Sequence, residues 1–330
     1  MVRCIALLSG GLDSMLAIRL MQDQDIEVEA LNFKTMFTCC QDTSAQAARS
    51  LGVPMTIIGQ EDDYLDLVRE PQYGYGKGAN PCVDCRIYMF ERARTFMEEM
   101  DAQFIISGEV VGQRPMSQKR RDLDTISHHA DLEDLLLRPL SAKLLHPTLP
   151  EREGWVDRQQ LYDFQGRSRK GLIELAKQLG LNDIPTPSTG CALTEPRFSQ
   201  KVFDLISAPN ESRRWDFELL KVGRHFRHDA HTKIVVGRNE TENSHLQYLH
   251  GQPDATSDAL LRPENFLGPL ALIIGRLSDE VLEFAGALTL RYAKRFDPED
   301  ALIRVDRRDQ AYVFRATPSD EAREVKTLAS

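Results

Sequence analysis

A strand-length run over residues 2–8, apolar but for Arg3, passes directly into Ser9-Gly10-Gly11-Leu12-Asp13-Ser14, and apolar residues then recur at helical spacing from 14 to 21. This order is strand, glycine-rich turn, helix. Paired glycines let backbone approach a phosphate closely, and the following helix aims its unpaired N–H groups and positive dipole end at the anion. Ser9 and Ser14 add hydroxyl donors. Asp13 stands where it can hold the magnesium ion that accompanies a nucleoside triphosphate. The plain alternative is a tight Gly-Gly turn with no ligand, but paired glycines are far commoner than this six-residue string after a strand.

The rest of the first half continues the alternation. Strands are expected at 26–33, 55–58 and 104–107, and helices at 43–51 and 81–100, with a glycine-rich loop at 73–80. An amphipathic helix is expected at 168–179, closed by Gly180. Alternating strands and helices predict an α/β fold with a doubly wound, mainly parallel sheet, whose ligand lies at the carboxyl ends of its strands. Beyond Pro196 short strand-like runs at 233–236, 270–274 and 311–315 are separated by Gly, Pro and Asn turns, with one helical stretch at 279–294. A chain of 330 residues can hold one large and one smaller core. The expected division is 1–195, the doubly wound domain, and 196–330, a smaller α+β domain.

With 42% apolar and 28% charged residues the composition is that of a soluble globular protein. No apolar run reaches bilayer length, and the first residues lead straight into the loop without a cleavable signal, so the expectation is a cytoplasmic protein with no membrane partner. A net charge of -9 argues against a generally basic nucleic-acid coat, though it allows a local basic face.

Six cysteines, Cys4, Cys39, Cys40, Cys82, Cys85 and Cys191, are in a reducing compartment better suited to metal binding, sulfur chemistry or packing than to disulfides. Cys82-Val83-Asp84-Cys85 opens a helix, where the dipole lowers thiol pKa values. Cys191 follows Ser188-Thr189-Gly190 in a second turn. Three thiolates suit an iron–sulfur cluster with one iron left open. A closed zinc site needs four ligands, for which Cys39 or Cys40 is a candidate, and burial as a small hydrophobe is the remaining alternative for Cys191.

The six-residue loop resembles the PP-loop of the ATP pyrophosphatase superfamily, whose members adenylate a carbonyl oxygen and release pyrophosphate. Among them, the elements Asn80-Pro81-Cys82-Val83-Asp84-Cys85 and Ser188-Thr189-Gly190-Cys191 look like those of tRNA thiouridine synthases. In the tRNA 2-thiouridylase family the first element reads Asn-Pro-Asp-x-x-Cys, so Cys82 replaces an Asp and makes the chain more similar to cluster-dependent thiolases. Ser107-Gly108-Glu109-Val110-Val111-Gly112-Gln113 with Ser117-Gln118 is similar to a stretch of 4-thiouridine synthetase. The chain opens at the PP-loop and has no cysteine after Cys191, so the N-terminal RNA-binding extension and the C-terminal rhodanese of 4-thiouridine synthetase are expected to be missing.

The resemblance implies ATP and Mg²⁺ at Ser9, Gly10, Gly11, Asp13, Ser14, Gly108 and Gln113. It implies catalytic roles for Asp13, Cys82, Cys85 and Cys191, with a 4Fe–4S cluster on the three cysteines or zinc in its place. Residues 221–243, which include Gly237-Arg238-Asn239, resemble the NFACT RNA-binding domain. Arg224, Arg227, Lys233, Arg238 and Asn239 are the candidate RNA contacts, extended by Arg114, Lys119, Arg120, Arg121, Arg167, Arg169 and Lys170. Adjacent His128 and His129 cannot share one pocket in regular structure and are expected on the surface or in a loop.

The function so implied is ATP-dependent tRNA uridine thiolation. Its partners would be tRNA and a sulfur donor, either a cysteine desulfurase relay or inorganic sulfide, and a homodimer is compatible with the sequence. Two other readings are a PP-loop ligase or nitrile synthase acting on a small molecule with a zinc site, and a non-catalytic RNA-binding adaptor.

Overall fold

The computed structural model describes residues 2–38, 43–181, 184–186, 190–209, 212–308 and 310–329. These form two compact units, Met1–Ala192 and Leu193–Ser330.

The first unit runs β1 (Arg3–Leu7), α1 (Leu12–Gln22), β2 (Glu27–Lys34), α2 (Thr43–Leu51), β3 (Met55–Gly59), α3 (Asp63–Arg69), α4 (Cys82–Glu99), β4 (Phe104–Ser107), α5 (Arg120–His129), β5 (Leu136–Leu137), α6 (Leu149–Arg152) and α7 (Lys170–Gln178). The strands pair in parallel in the order β3-β2-β1-β4-β5. Buried on both faces from Cys4 onward, β1 is apolar there, as a central parallel strand must be, and only its first residue, Arg3, reaches solvent. Its alternate side chains serve two cores. Cys4 and Ala6 join Met15, Ala48 and Leu175 on one side, whereas Ile5 and Leu7 join Phe90, Phe96 and Ile126 on the other. Cys4 is thus a core thiol, and burial drives its pKa upward. The strand order reverses between β1 and β4, so the crevice beyond their carboxyl ends is the place where such a sheet takes a ligand.

The second unit runs α8 (Pro196–Ser207), α9 (Arg214–Leu219), β6 (Arg224–Arg227), β7 (Lys233–Val236), α10 (Glu240–His250), β8 (Ser257–Pro263), β9 (Ala271–Ile274), α11 (Asp279–Arg291), β10 (Leu302–Asp306), β11 (Ala311–Arg315) and α12 (Asp320–Glu324). Its sheet is antiparallel, ordered β11-β10-β8-β9-β7-β6. Period-2 alternation again divides the side chains. Ile234, Val236 and Ile273 pack with Phe284 and Leu288 of α11, while Val235 and Leu272 pack with Trp215 and Leu246.

His128 and His129 occupy the last turn of α5 rather than a loop, with ring centroids 5.3 Å apart. They diverge as adjacency requires: His128 meets Glu133, and His129 Nε2 meets the Tyr73 hydroxyl at 2.5 Å. No helix among the described residues is long and apolar enough to cross a membrane.

Candidate active site

The turn between β1 and α1 is tight because Gly10 has φ +76°, and an added Cβ there would stand 2.5 Å from Thr43 Oγ1 and 2.6 Å from Ser44 N. Gly11 is the N-cap of α1 and supplies no side-chain cap, which leaves the first-turn N–H groups open to an anion. Ser14 Oγ donates to Gly11 O at 2.8 Å and lies 3.4 Å from Ser9 Oγ, placing both hydroxyls beside the turn.

The β4 terminus closes the other side. A Cβ on Gly108 would come within 2.4 Å of Asp13 C and 2.5 Å of Ser14 N, so only glycine lets the chain beyond β4 approach the first turn of α1 this closely. Gln113 Nε2 donates to Asp13 Oδ2 at 2.9 Å. Asp13 Oδ1 is buried with no hydrogen-bond partner among the described residues. A buried carboxylate oxygen left open beside uncapped helix N–H groups fits a magnesium–triphosphate ligand.

Cys82 and Cys85 lie in the first turn of α4, half-buried and with free thiols, and Cys191 is half-buried too. Asn80 fixes the approach to the helix: its Oδ1 accepts from Gly78 N at 2.9 Å and its Nδ2 donates to Cys82 Sγ at 3.0 Å. Asp84, buried, accepts from Gln72 N at 2.8 Å and pins the preceding loop. Cys191 is brought in by backbone: Ala192 N donates to Phe37 O at 3.0 Å, and the Phe37 ring lies 6.3 Å from that of Tyr64. Tyr64, on α3, donates its hydroxyl to Cys85 Sγ at 3.3 Å. Its pKa is raised first by burial and then by Cys85, Cys191 and Cys82, so one phenol feels all three thiols. Among the described residues, no group of three His, Cys, Asp or Glu forms a metal-holding arrangement. Cys39, Cys40, Pro187, Ser188 and Thr189 lie outside those residues.

The helix dipole does not control Cys85. Burial pushes its thiol up, against the downward pulls of the Tyr64 hydrogen bond and the Arg86 charge. Arg86 Nε stands 3.6 Å from Glu109 Oε1, and Arg138 Nε donates to Glu109 Oε2 at 3.0 Å. Arg138 is itself buried, giving its remaining donors to Ser127 Oγ at 3.0 Å and Leu123 O at 3.3 Å. Arg114 has its pKa lowered first by burial and then by Arg86, while Asp13, Cys82 and Glu109 pull it up. Its side chain is nonetheless exposed, and the charges of both the phosphate turn and Cys82 act on it.

Sequence reasoning singled out the turn and the cysteines but not Tyr64, Arg86 or Arg138; Arg114, which it placed on a basic face, is exposed. Glu109 was quoted inside its motif without a role. Only Arg86, adjacent to the Cys-x-x-Cys pair, carried a positional signal.

In the second unit Arg227 Nε donates to Asp204 at 3.0 Å, and Lys233 is buried with Nζ 3.2 Å from the same carboxylate. Asn239 caps α10, accepting from Glu242 N at 2.9 Å. Arg238 pairs with Glu242 at 2.6 Å, and Arg224 lies 4.4 Å over the Tyr292 ring. The last two border a cleft of about 270 Å³; Arg227, Lys233 and Asn239 brace its surroundings.

Residues 2–148 match the family model described as the tRNA methyl transferase HUP domain, and residues 223–326 match the NFACT protein RNA binding domain. A tRNA-specific 2-thiouridylase from Trichlorobacter lovleyi is 26% identical over 159 residues, covering 45% of each chain. One from Listeria monocytogenes is 23% identical over 241 residues, covering 68% of this chain and 61% of its own. The chain thus spans about half to three-fifths of the length of these relatives. A solved 4-thiouridine synthetase in complex with RNA and ATP has a TM-score of 0.40 at 20% identity, covering 59% of this chain and 45% of that one.

Proposed function

We propose that this chain, which joins a PP-loop HUP domain to an NFACT-type RNA-binding domain, uses ATP to activate a uridine of tRNA and then thiolates it. Residues 1–195 would carry the chemistry and residues 196–330 would hold RNA. The observation that carries this reading is the link between the two groups: Arg86, next to Cys85, stands 3.6 Å from Glu109, whose neighbour Gly108 packs against Asp13 of the phosphate turn. A site for splitting ATP and a site for sulfur thereby become one reaction space.

In this reading the turn N–H groups, Ser9 and Ser14 hold the β- and γ-phosphates, and Asp13 takes the magnesium ion, which neutralises phosphate charge. Gly108 lets the chain beyond β4 pack against the first turn of α1, and Gln113 orients Asp13. The uridine, flipped from its RNA stack, presents its carbonyl oxygen to the α-phosphate. Pyrophosphate leaves, stabilised by the turn and by Arg114. A persulfide sulfur on one of Cys82, Cys85 and Cys191 then attacks the activated carbon and AMP departs. A second thiol attacks the sulfur–sulfur bond, releasing the thiolated base and leaving a disulfide that an external thiol reduces. An iron–sulfur cluster on the same three cysteines is the other way to hold the sulfur; iron and labile-sulfide analysis of anaerobically purified protein separates the two.

The deciding experiment is nucleoside mass analysis of tRNA from cells with and without the gene, together with cells carrying Cys82→Ser, Cys85→Ser or Cys191→Ser. Loss of one thiouridine in the deletion and in the cysteine variants is expected. Undiminished thiolation in all three variants would sink the mechanism. A deletion that changes no thionucleoside would sink the function.

A further inference from the structure

Among the described residues, the cleft in the second unit is lined by five cationic side chains, Arg197, Lys201, Lys221, Arg224 and Arg238, against a single carboxylate, Glu195. Arg238 is matched by Glu242. Arg197, Lys201, Lys221 and Arg224 have no carboxylate within ion-pairing distance among the described residues. Lys201 Nζ donates instead to Leu220 O at 2.9 Å, and Arg224 Nη1 to Gly237 O at 3.2 Å, so both half-buried groups are held in place by neutral carbonyls. Glu195 is occupied as the N-cap of α8, accepting from Arg197 N and Phe198 N. The wall opposite is the C-terminal segment, fixed by Leu328 N donating to His225 O at 2.9 Å. Concentrating unmatched cations in one concavity of a chain whose net charge is -9 is costly unless an anion enters it.

We propose that this cleft is a phosphate-binding site for RNA, built jointly by α8, the α9–β6 turn and the β7–α10 turn, and that it takes one or two backbone phosphates. The proposal rests on the reading that residues 196–330 hold RNA. The planar guanidinium groups of Arg197 and Arg224 offer paired donors suited to phosphate, and Lys201 adds a point charge at the floor. Crowding is evident at Lys201, whose pKa falls to about 8, first through burial and then through Arg238 and Lys233. A bound phosphate would relieve that repulsion. Arg197, Lys201 and Lys221 precede residue 223, where the match to the RNA-binding family begins, so the connecting segment would complete a site that the matched segment holds only in part.

The test measures binding of the full chain to bulk tRNA across a potassium chloride series, comparing wild type with Lys201→Gln and with the exposed pair Arg197→Gln/Lys221→Gln. The exposed pair guards against a folding defect, and a melting curve checks Lys201→Gln. Each lost phosphate contact should flatten the slope of log affinity against log salt by about 0.7–0.9, with about tenfold weaker binding near physiological salt. Arg323→Gln, on α12 and outside the cleft, should leave the slope unchanged. Wild-type slopes in both cleft variants would overturn the site while leaving RNA binding standing, and so would an equal loss in Arg323→Gln. Failure of wild type to bind tRNA would overturn the RNA reading and the site together. Equal binding of tRNA with and without its terminal phosphate is expected of a backbone site; loss of all binding on dephosphorylation would overturn it in favour of an end-binding pocket.

Discussion

The Tyr64 hydroxyl donates to Cys85 Sγ at 3.3 Å, across the junction of α3 and α4. That bond lowers the Cys85 pKa against a larger upward push from burial. Tyr64→Phe keeps the buried ring and removes only the donor. We expect iodoacetamide alkylation of Cys85 at neutral pH to slow several-fold to about tenfold, the size of one hydrogen bond to a charged acceptor, with its pH profile displaced to higher pH. An unchanged profile with an unchanged melting temperature would show that the bond does not tune the thiol.

Gly108→Ala tests the approach of the chain beyond β4 to the first turn of α1. The new Cβ would meet the Asp13 carbonyl carbon at 2.4 Å and Ser14 N at 2.5 Å, both backbone atoms that cannot swing aside. The chain must shift the phosphate turn, at a stability cost of about 1–3 kcal/mol. ATP binding by calorimetry should weaken at least tenfold, and tRNA-dependent pyrophosphate release should fall with it. Wild-type ATP affinity would mean that the turn does not hold the nucleotide.

Asp13→Asn separates structure from metal binding. Gln113 bonds one Asp13 oxygen and the other is buried and open, so the amide can preserve the fold while losing the charge a divalent cation needs. Melting temperature should stay within a few degrees, whereas pyrophosphate release should fall by a factor of 100 or more and no longer respond to magnesium titration. Retention of the magnesium response would move the metal to another carboxylate.

Glu109 is buried between Arg138 at 3.0 Å and Arg86 at 3.6 Å. Glu109→Leu leaves the buried Arg138 guanidinium without its counter-charge, which typically costs about 3–5 kcal/mol. Glu109→Gln retains an acceptor and should cost less. Urea unfolding midpoints should therefore rank wild type, Gln, Leu. Equal midpoints for Leu and wild type would show that Arg138 finds solvent or another partner.

The sheet strands were legible because a strand buried on both faces must be apolar along its buried length, as 4–8 and 104–106 are, and because glycine pairs punctuate so strongly. β5 has two residues, too short to show any period, and β8 begins at a bulge and ends at Pro263, which blurs its alternation. Within the site, Gly10 and Cys82 announced themselves through motif spacing. Tyr64 did not, since its contact with Cys85 joins two helices across 21 positions and leaves no local pattern. Arg114 and Lys233 show the converse limit: a basic residue in sequence reads the same whether its charge meets solvent, a phosphate turn or a buried aspartate.

Lys233 gives that last distinction a measurable form. Burial pulls its pKa down to about 8, outweighing the upward pull of Asp204, whose Oδ2 is 3.2 Å away. For Asp204 burial pushes the carboxyl up, but the Arg227 hydrogen bond and the Lys233 charge win, and its pKa is lowered. A lysine depressed in the folded state is charged in both states below about pH 8, so the full cost of burying its charge is present there. Between about 8 and the ordinary lysine value near 10.5 the unfolded chain keeps a proton that the folded chain has released, so stability rises with pH through that window. At about 1.4 kcal/mol per pH unit, the gain amounts to at most about 3 kcal/mol. Lys233→Met removes this titration while leaving Asp204 its Arg227 partner; Lys201, which Lys233 also pulls down, titrates in both proteins and shifts upward in the variant, where burial and Arg238 still lower it. The difference in unfolding free energy between wild type and Lys233→Met should therefore move toward wild type by about 1–3 kcal/mol from pH 7.5 to pH 10. A difference that is flat with pH would place the Lys233 ammonium in solvent, free to meet a phosphate directly.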